Sequence, residues 1–166
     1  MFEMWVWKCL TPHPPIVVHE VGKGREAVSQ KTVDAMNTLS RILSDKEPDI
    51  LFLLTPHHHY HRGLHIIIGE QYRGNLGMFG APEIEIHLEG DPKAGDKLQK
   101  HLQDYVPVSV ERQREVILDH ASIVPLSFLL KTWGKKPRLL IANPIGLSPE
   151  EAFQTGKALN DLDDGN

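Results

Sequence analysis

The chain is 166 residues long, with 24% charged and 40% hydrophobic residues and a net charge of −4 when histidines are neutral. That size suits a single domain, residues 1–166, able to bury roughly 70% of its unfolded surface. Charges of both signs are mixed along the chain, which argues against a nucleic-acid partner, and no apolar run approaches the roughly 18 residues needed to cross a membrane.

Residues 4–10 form the first apolar run and predict a strand. The one cysteine, Cys9, lies inside it, so no intrachain disulfide can form and a buried reduced thiol is expected. The start lacks the charged stretch and cleavage site of a signal peptide, and a cytoplasmic protein is expected. Residues 11–24 read as a loop, stiffened by Pro12, Pro14 and Pro15 and freed to turn at Gly22 and Gly24. Val28, Val33, Met36, Leu39, Ile42 and Leu43 then repeat at helical spacing and predict a helix over residues 25–44. Residues 50–54 are continuously apolar, as in a central strand covered on both faces. Strands are predicted at residues 64–69 and 83–88, separated by a segment rich in glycine. Asp91 and Pro92 mark the start of a helix over residues 92–105. A short strand at 106–110, a buried helix at 120–133 and an apolar strand at 138–143 follow. Ser148 and Glu151 stand at the spacing of a capping box, opening a last helix that runs to about residue 161. Alternating strands and helices predict an α/β fold with a mostly parallel or mixed open sheet and helices on both faces.

Thr-Pro-His occurs twice, at Thr11-Pro12-His13 and at Thr55-Pro56-His57. Each copy follows a predicted strand, and one helix lies between them. A strand–helix–strand unit would make the strands parallel and bring both histidines to the sheet edge where α/β proteins bind ligands. The prolines restrict the backbone at each histidine, which favours a preorganised metal site. Two imidazoles with a carboxylate and open positions suit Fe(II), and the same donors hold Zn(II). The alternative is that both histidines merely cap strand ends. His58, His59 and His61 extend the second copy into a His-rich tract, readable as further ligands or as a solvated loop.

The residues Leu10-Thr11-Pro12-His13-Pro14-Pro15-Ile16-Val17-Val18 and Glu20-Val21-Gly22-Lys23-Gly24-Arg25-Glu26 resemble the N-terminus of the class III extradiol ring-cleavage dioxygenases, in particular their LigB-type catalytic subunit. Leu54-Thr55-Pro56-His57, Phe79-Gly80-Ala81-Pro82, Gly90-Asp91-Pro92, and Leu118-Asp119-His120 with Val124-Pro125-Leu126 fit the same pattern in the same order. The resemblance covers nearly the whole chain. It implies that His13 and His57 are metal ligands and that His120 stands beside the metal, binding substrate or moving a proton. It implies Fe(II), with Zn(II) as the alternative, and a small catecholic aromatic plus O₂ as partners.

Two departures from the family pattern stand out. The family usually has glycine after the second Thr-Pro-His, where this chain has His58. The family's third ligand, a glutamate in its C-terminal half, has no match; Glu20, Glu83 and Asp119 are the carboxylates nearest the loops in sequence. The chain therefore reads as the N-terminal portion of a LigB-like domain, expected to show little or no ring cleavage by itself. The missing ligand would come from a C-terminal half or partner chain, and open strand edges predict a homodimer. The alternative function is a non-catalytic metal- or small-ligand-binding module like the Memo-type proteins, which share the fold. A general metal hydrolase would need a carboxylate base that the sequence does not identify.

Overall fold

The computed structural model describes residues 5–46 and 48–162. It contains α1 (His19–Gly22), α2 (Gln30–Ser44), α3 (Pro92–Leu102), α4 (His120–Leu129) and α5 (Pro149–Asp161). These pack on one sheet made of β1 (Ile50–Leu54), β2 (Gly63–Leu76), β3 (Ala81–Glu89), β4 (Val108–Ile117) and β5 (Arg138–Gly146). The fold is α/β with a mixed sheet, as expected. β1 runs parallel to β5 and β4 parallel to β2, while β3 and β5 run antiparallel to β2.

β2 organises the sheet. Its first half pairs with β5, through Ile66↔Ala142 and Ile67↔Ile141. Its second half pairs with β3, through Tyr72↔Leu88 and Gly74↔Ile86. β4 accompanies it along the opposite edge from Leu64↔Val108 to Arg73↔Ile117. Where β2 changes partner, the buried Tyr72 hydroxyl donates to the Ile67 carbonyl at 2.7 Å and accepts from the Gly69 amide at 2.9 Å. Burial pushes this phenol up to about 12, so it stays neutral and keeps both bonds.

Alternation along β2 divides the core. Leu64, Ile66 and Ile68 face one way and pack with Ala94, Leu98 and Leu102 of α3 and Ala158 of α5. Ile67 and Tyr72 belong to the opposite cluster, with Met36 of α2 and Ile123, Val124 and Leu126 of α4. α4 is buried on nearly every side, which is why it lacks a polar stripe; Pro125 stands in its middle and leaves the Ala121 carbonyl without a helical amide donor.

Several sequence expectations need correction. Of the strand predicted over residues 4–10, Met4 lies outside the described residues and 5–10 pair with no strand. Their apolar pattern reflects side-chain anchoring: the Trp5 indole donates to the Leu159 carbonyl at 2.7 Å, and Trp7 sits edge-on to Trp133 at 6.0 Å. Cys9 is exposed there, not buried, and Leu10 is fully exposed. β1 lies at the sheet margin, not its centre. Its apolar run is still explained, because Leu51 and Leu53 pack into one cluster while Ile50 and Phe52 pack against the other. β2 and β4 run further than expected, since glycine inside β2 marks close packing: a Cβ on Gly74 would lie 2.4 Å from the Leu118 carbonyl. The helix predicted over 25–44 opens as a 3₁₀ turn, Arg25–Ser29, before α2. α3 and α4 end at Leu102 and Leu129, earlier than expected. Among the described residues no helix is long and apolar enough to cross a membrane.

The capping box of α5 forms as expected from Ser148 and Glu151. Glu151 also takes Arg62 in two bonds of 2.7 Å each, tying the loop after β1 to α5. The Arg62 bonds, followed by the Ser148 amide, lower the Glu151 carboxyl from 4.5 to about 2. A depressed folded-state value means that this contribution is complete above pH ~4.5 and is lost as pH falls toward ~2. Glu151→Gln should therefore lower stability near neutrality and flatten the acid limb of a plot of urea midpoint against pH.

Candidate metal centre

Three histidines from three separate segments meet at one end of the sheet. His13 comes from the proline-rich loop, His57 from the loop after β1, and His120 from the first turn of α4. Their rings lie 5.2 Å (His13–His57), 5.9 Å (His13–His120) and 4.7 Å (His57–His120) apart. Each offers a ring nitrogen, and these nitrogens lie within 4.8 Å of one another. All three residues are half-buried.

Local hydrogen bonds explain the placement. After Thr55 the chain turns, and the His57 amide donates to the Thr55 hydroxyl at 3.4 Å. Thr55 is itself buried and anchored by its amide on the Ala142 carbonyl at 3.0 Å, so the loop is fixed to β5. On the other side, Val17 and Val18 amides donate to the Pro14 and Pro15 carbonyls and fold the loop carrying His13 into a short 3₁₀ turn. Glu26 then accepts from His19 at 2.5 Å and from the Gly24 amide at 2.7 Å. Gly22 leaves room for it: a Cβ there would lie 2.3 Å from a Glu26 oxygen. The parallel-strand argument thus fails at its first strand, yet the two histidines are adjacent.

His57 Nδ1 lies 2.6 Å from Asp119 Oδ2. An ionised carboxylate only accepts, so Nδ1 carries the proton and Nε2 keeps its lone pair, the form in which imidazole binds metals. The same Asp119 caps α4, accepting from the Ser122 amide at 3.3 Å. His120 is shifted below the usual histidine range, first by burial and then by His57, with Asp119 opposing and His13 adding. It is therefore neutral near pH 7, with a lone pair available. Phe79 packs edge-on against His120 at 5.2 Å, and Met78 beside it is exposed. The donor set fits a borderline divalent metal: three imidazoles, one already oriented by a carboxylate, at convergent positions.

The carboxylates considered from sequence separate here. Asp119 belongs to the site through His57, whereas Glu20 and Glu83 are not among the grouped metal-ligating side chains. The tract after His57 also divides. His58 turns inward, with φ +77° and a buried Nε2 that has no hydrogen-bond partner. Burial lowers its titration below the usual range, followed by a smaller opposing effect of Asp119. His59 is exposed, and His61 stacks on His65. Sequence reasoning missed the His57–Asp119 bond, which spans 62 positions and leaves no periodic trace.

The sequence matches the family described as the catalytic LigB subunit of aromatic ring-opening dioxygenase over residues 8–165. The chain belongs to that family. Protein CA_C1420 of Clostridium acetobutylicum, whose name states no activity, is 26% identical over 168 aligned positions, covering 93% of this chain. The chain spans 36% of that protein's length. The backbone at His58 is left-handed, where a side chain costs about 1–2 kcal/mol and glycine does not.

His58→Gly should relieve that strain and remove the unpartnered nitrogen, against the larger unfolded-state entropy of glycine. The expected net effect is a gain of about 0.5–1 kcal/mol, read as a higher urea midpoint at unchanged slope.

Proposed function

We propose that this LigB-family chain holds a mononuclear metal through His13 and His57, in the manner of an aromatic ring-opening dioxygenase, with Fe(II) as the working ion. The observation that carries this reading is the convergence of His13, His57 and His120 with Asp119 behind His57. Fe(II) would supply a place where a catecholate and O₂ can be held side by side. Asp119 keeps the lone pair of His57 turned toward the ion and supplies negative charge without occupying a position on it. His120, neutral and at the rim, accepts a catechol proton and can return it. Phe79 gives a flat apolar wall for an aromatic ring, and the exposed Met78 extends that surface.

A second reading is favoured by one feature. The donors of this cluster are three imidazoles, His13, His57 and His120, with no carboxylate among them. Such a neutral set suits Zn(II) with an open position, as in a metal-binding module without ring cleavage. For the same reason this chain by itself is expected to take up O₂ with catechols only near background, because an anionic ligand is part of the usual ferrous triad.

Metal analysis after loading untagged protein with Fe(II) or Zn(II) tests the site. The His13→Ala/His57→Ala double variant should lose the metal bound there, and unchanged retention of that metal would remove the assignment. With Fe(II) loaded anaerobically, 4-nitrocatechol should change its visible absorption on chelation. No change, with metal present, would favour the Zn(II) module.

Asp119→Asn separates two roles, because asparagine still caps α4 but carries no charge. Its melting curve should stay close to wild type while metal affinity falls about 10–100-fold. An unaltered metal affinity would show that Asp119 is only a helix cap.

A further inference from the structure

A second cluster of metal-ligating side chains, His61, His65 and Glu111, lies apart from the first and shares none of its residues; their donor atoms lie within 4.8 Å of one another. His65 and Glu111 are on the adjacent strands β2 and β4, where His65 pairs with Ser109 and Glu111 follows two residues on, so all three side chains leave the same face. His61 comes from the loop that also supplies His57.

We propose that His61, His65 and Glu111 form a second metal site, of the class that takes Zn(II). His65 Nε2 and Glu111 Oε2 are 3.3 Å apart. Two ligands at bond lengths of about 2.0–2.1 Å and a tetrahedral angle stand about 3.3–3.4 Å apart, so this pair already has the spacing of a metal edge. Both are held from behind. Ser109 Oγ lies 2.8 Å from His65 Nδ1, and Gln113 donates to Glu111 Oε1 at 2.7 Å. The serine hydroxyl makes the site convertible. Without metal it donates to Nδ1 while Nε2–H bonds Glu111. With metal it accepts from Nδ1–H and leaves the Nε2 lone pair for the ion.

His61 is the third arm. Its ring stacks on His65 at 3.6 Å with an interplanar angle of 15°, and its nitrogens have no hydrogen-bond partner among the described residues. To reach the same point the His61 ring would turn about its side-chain bonds away from this stack. His65 is only 3% exposed, whereas the Glu111 side chain is 42% exposed, so the site is walled on the β2 side and open to solvent on the other. Two imidazoles and one carboxylate favour Zn(II) or another borderline transition ion over Mg(II) or Ca(II), which prefer all-oxygen shells. The inference stands independently of the function proposed for the first centre.

Untagged protein, stripped with chelator and desalted, would be titrated with Zn(II) by calorimetry and with Co(II) by absorbance. About two equivalents should bind to wild type and about one to each of Glu111→Gln, His61→Ala and the His13→Ala/His57→Ala variant. Ser109→Ala should weaken one of the two sites about 10–100-fold. Circular dichroism melts confirm folding, and the two partly exposed positions, Glu111 and His61, carry the test if substitution of buried His65 unfolds the protein. Wild-type stoichiometry and affinity in folded Glu111→Gln and His61→Ala would overturn the proposal. So would complete loss of binding in the folded His13→Ala/His57→Ala variant. Retention of about two equivalents in that variant, with loss of one in Glu111→Gln, would support this site while removing the first assignment.

Discussion

The constraint on which this fold depends is the need of β2 to satisfy its backbone groups along both edges. A buried strand cannot leave amides and carbonyls unpaired without a cost of about 1–3 kcal/mol for each group. β2 meets this need by changing partner on one edge, from β5 to β3, while β4 runs unbroken along the other. The change needs a stitch, and Tyr72 provides it by bonding backbone on both sides of the transition. Once β2 is fixed, alternation sends Leu64, Ile66 and Ile68 toward α3 and α5. His65 and Ile67 go to the other face, which α2 and α4 cover. The position of a buried histidine beside Ser109 and Glu111 is thus a consequence of sheet register. A one-residue slip between β2 and β4 would remove it.

Asp119 is the corresponding constraint at the end of β1. One carboxylate caps α4 and fixes the tautomer of His57, and the next residue along, His120, faces the same space. Helix capping and ligand orientation therefore cannot vary independently. This economy explains how a site built from three separate segments holds together where the backbone is mostly loop. It also gives Leu118-Asp119-His120 a physical content beyond resemblance: the leucine is buried, the aspartate caps and orients, and the histidine faces the cluster.

The sequence was most legible where one local rule acts alone. The capping box at Ser148 and Glu151, the Asp91 cap and the β1 boundaries all depend on neighbours within a few residues, whereas the periodicity predicting α2 placed Val28 and Ile42 on its buried face and both are exposed. It was least legible where tertiary contacts use the same residue types for another purpose. Residues 5–10 have strand-like composition because two indoles dock on distant groups, not because the backbone joins a ladder. Gly74 looked like a loop residue and is a strand residue that admits a neighbour. Of the first centre, His13 and His57 were visible through their repeated tripeptide and His120 through the resemblance, but Asp119 mattered through a contact no pattern reports. Of the second cluster only His61 drew notice. His65 was hidden in an apolar run and Glu111 in a charged one, each unremarkable until β2 and β4 are laid side by side.

The two clusters differ in where negative charge sits. In the first, Asp119 touches an imidazole and donates its charge through that ring. In the second, Glu111 is itself one of the grouped donors. A divalent ion in the first place would retain most of its charge toward an incoming anion. In the second, direct carboxylate ligation lowers that charge and favours a resident ion over exchangeable anions. The segment from His57 to His61 supplies an imidazole to each, with the strained His58 between them and its unpartnered nitrogen buried. Charge on Asp119 reaches His58 together with charge on Glu111, so its ring lies in the field of both carboxylates. A glycine at that position would leave the loop freer to adjust one ligand without the other. Histidine there restricts the backbone between His57 and His61 more than glycine would.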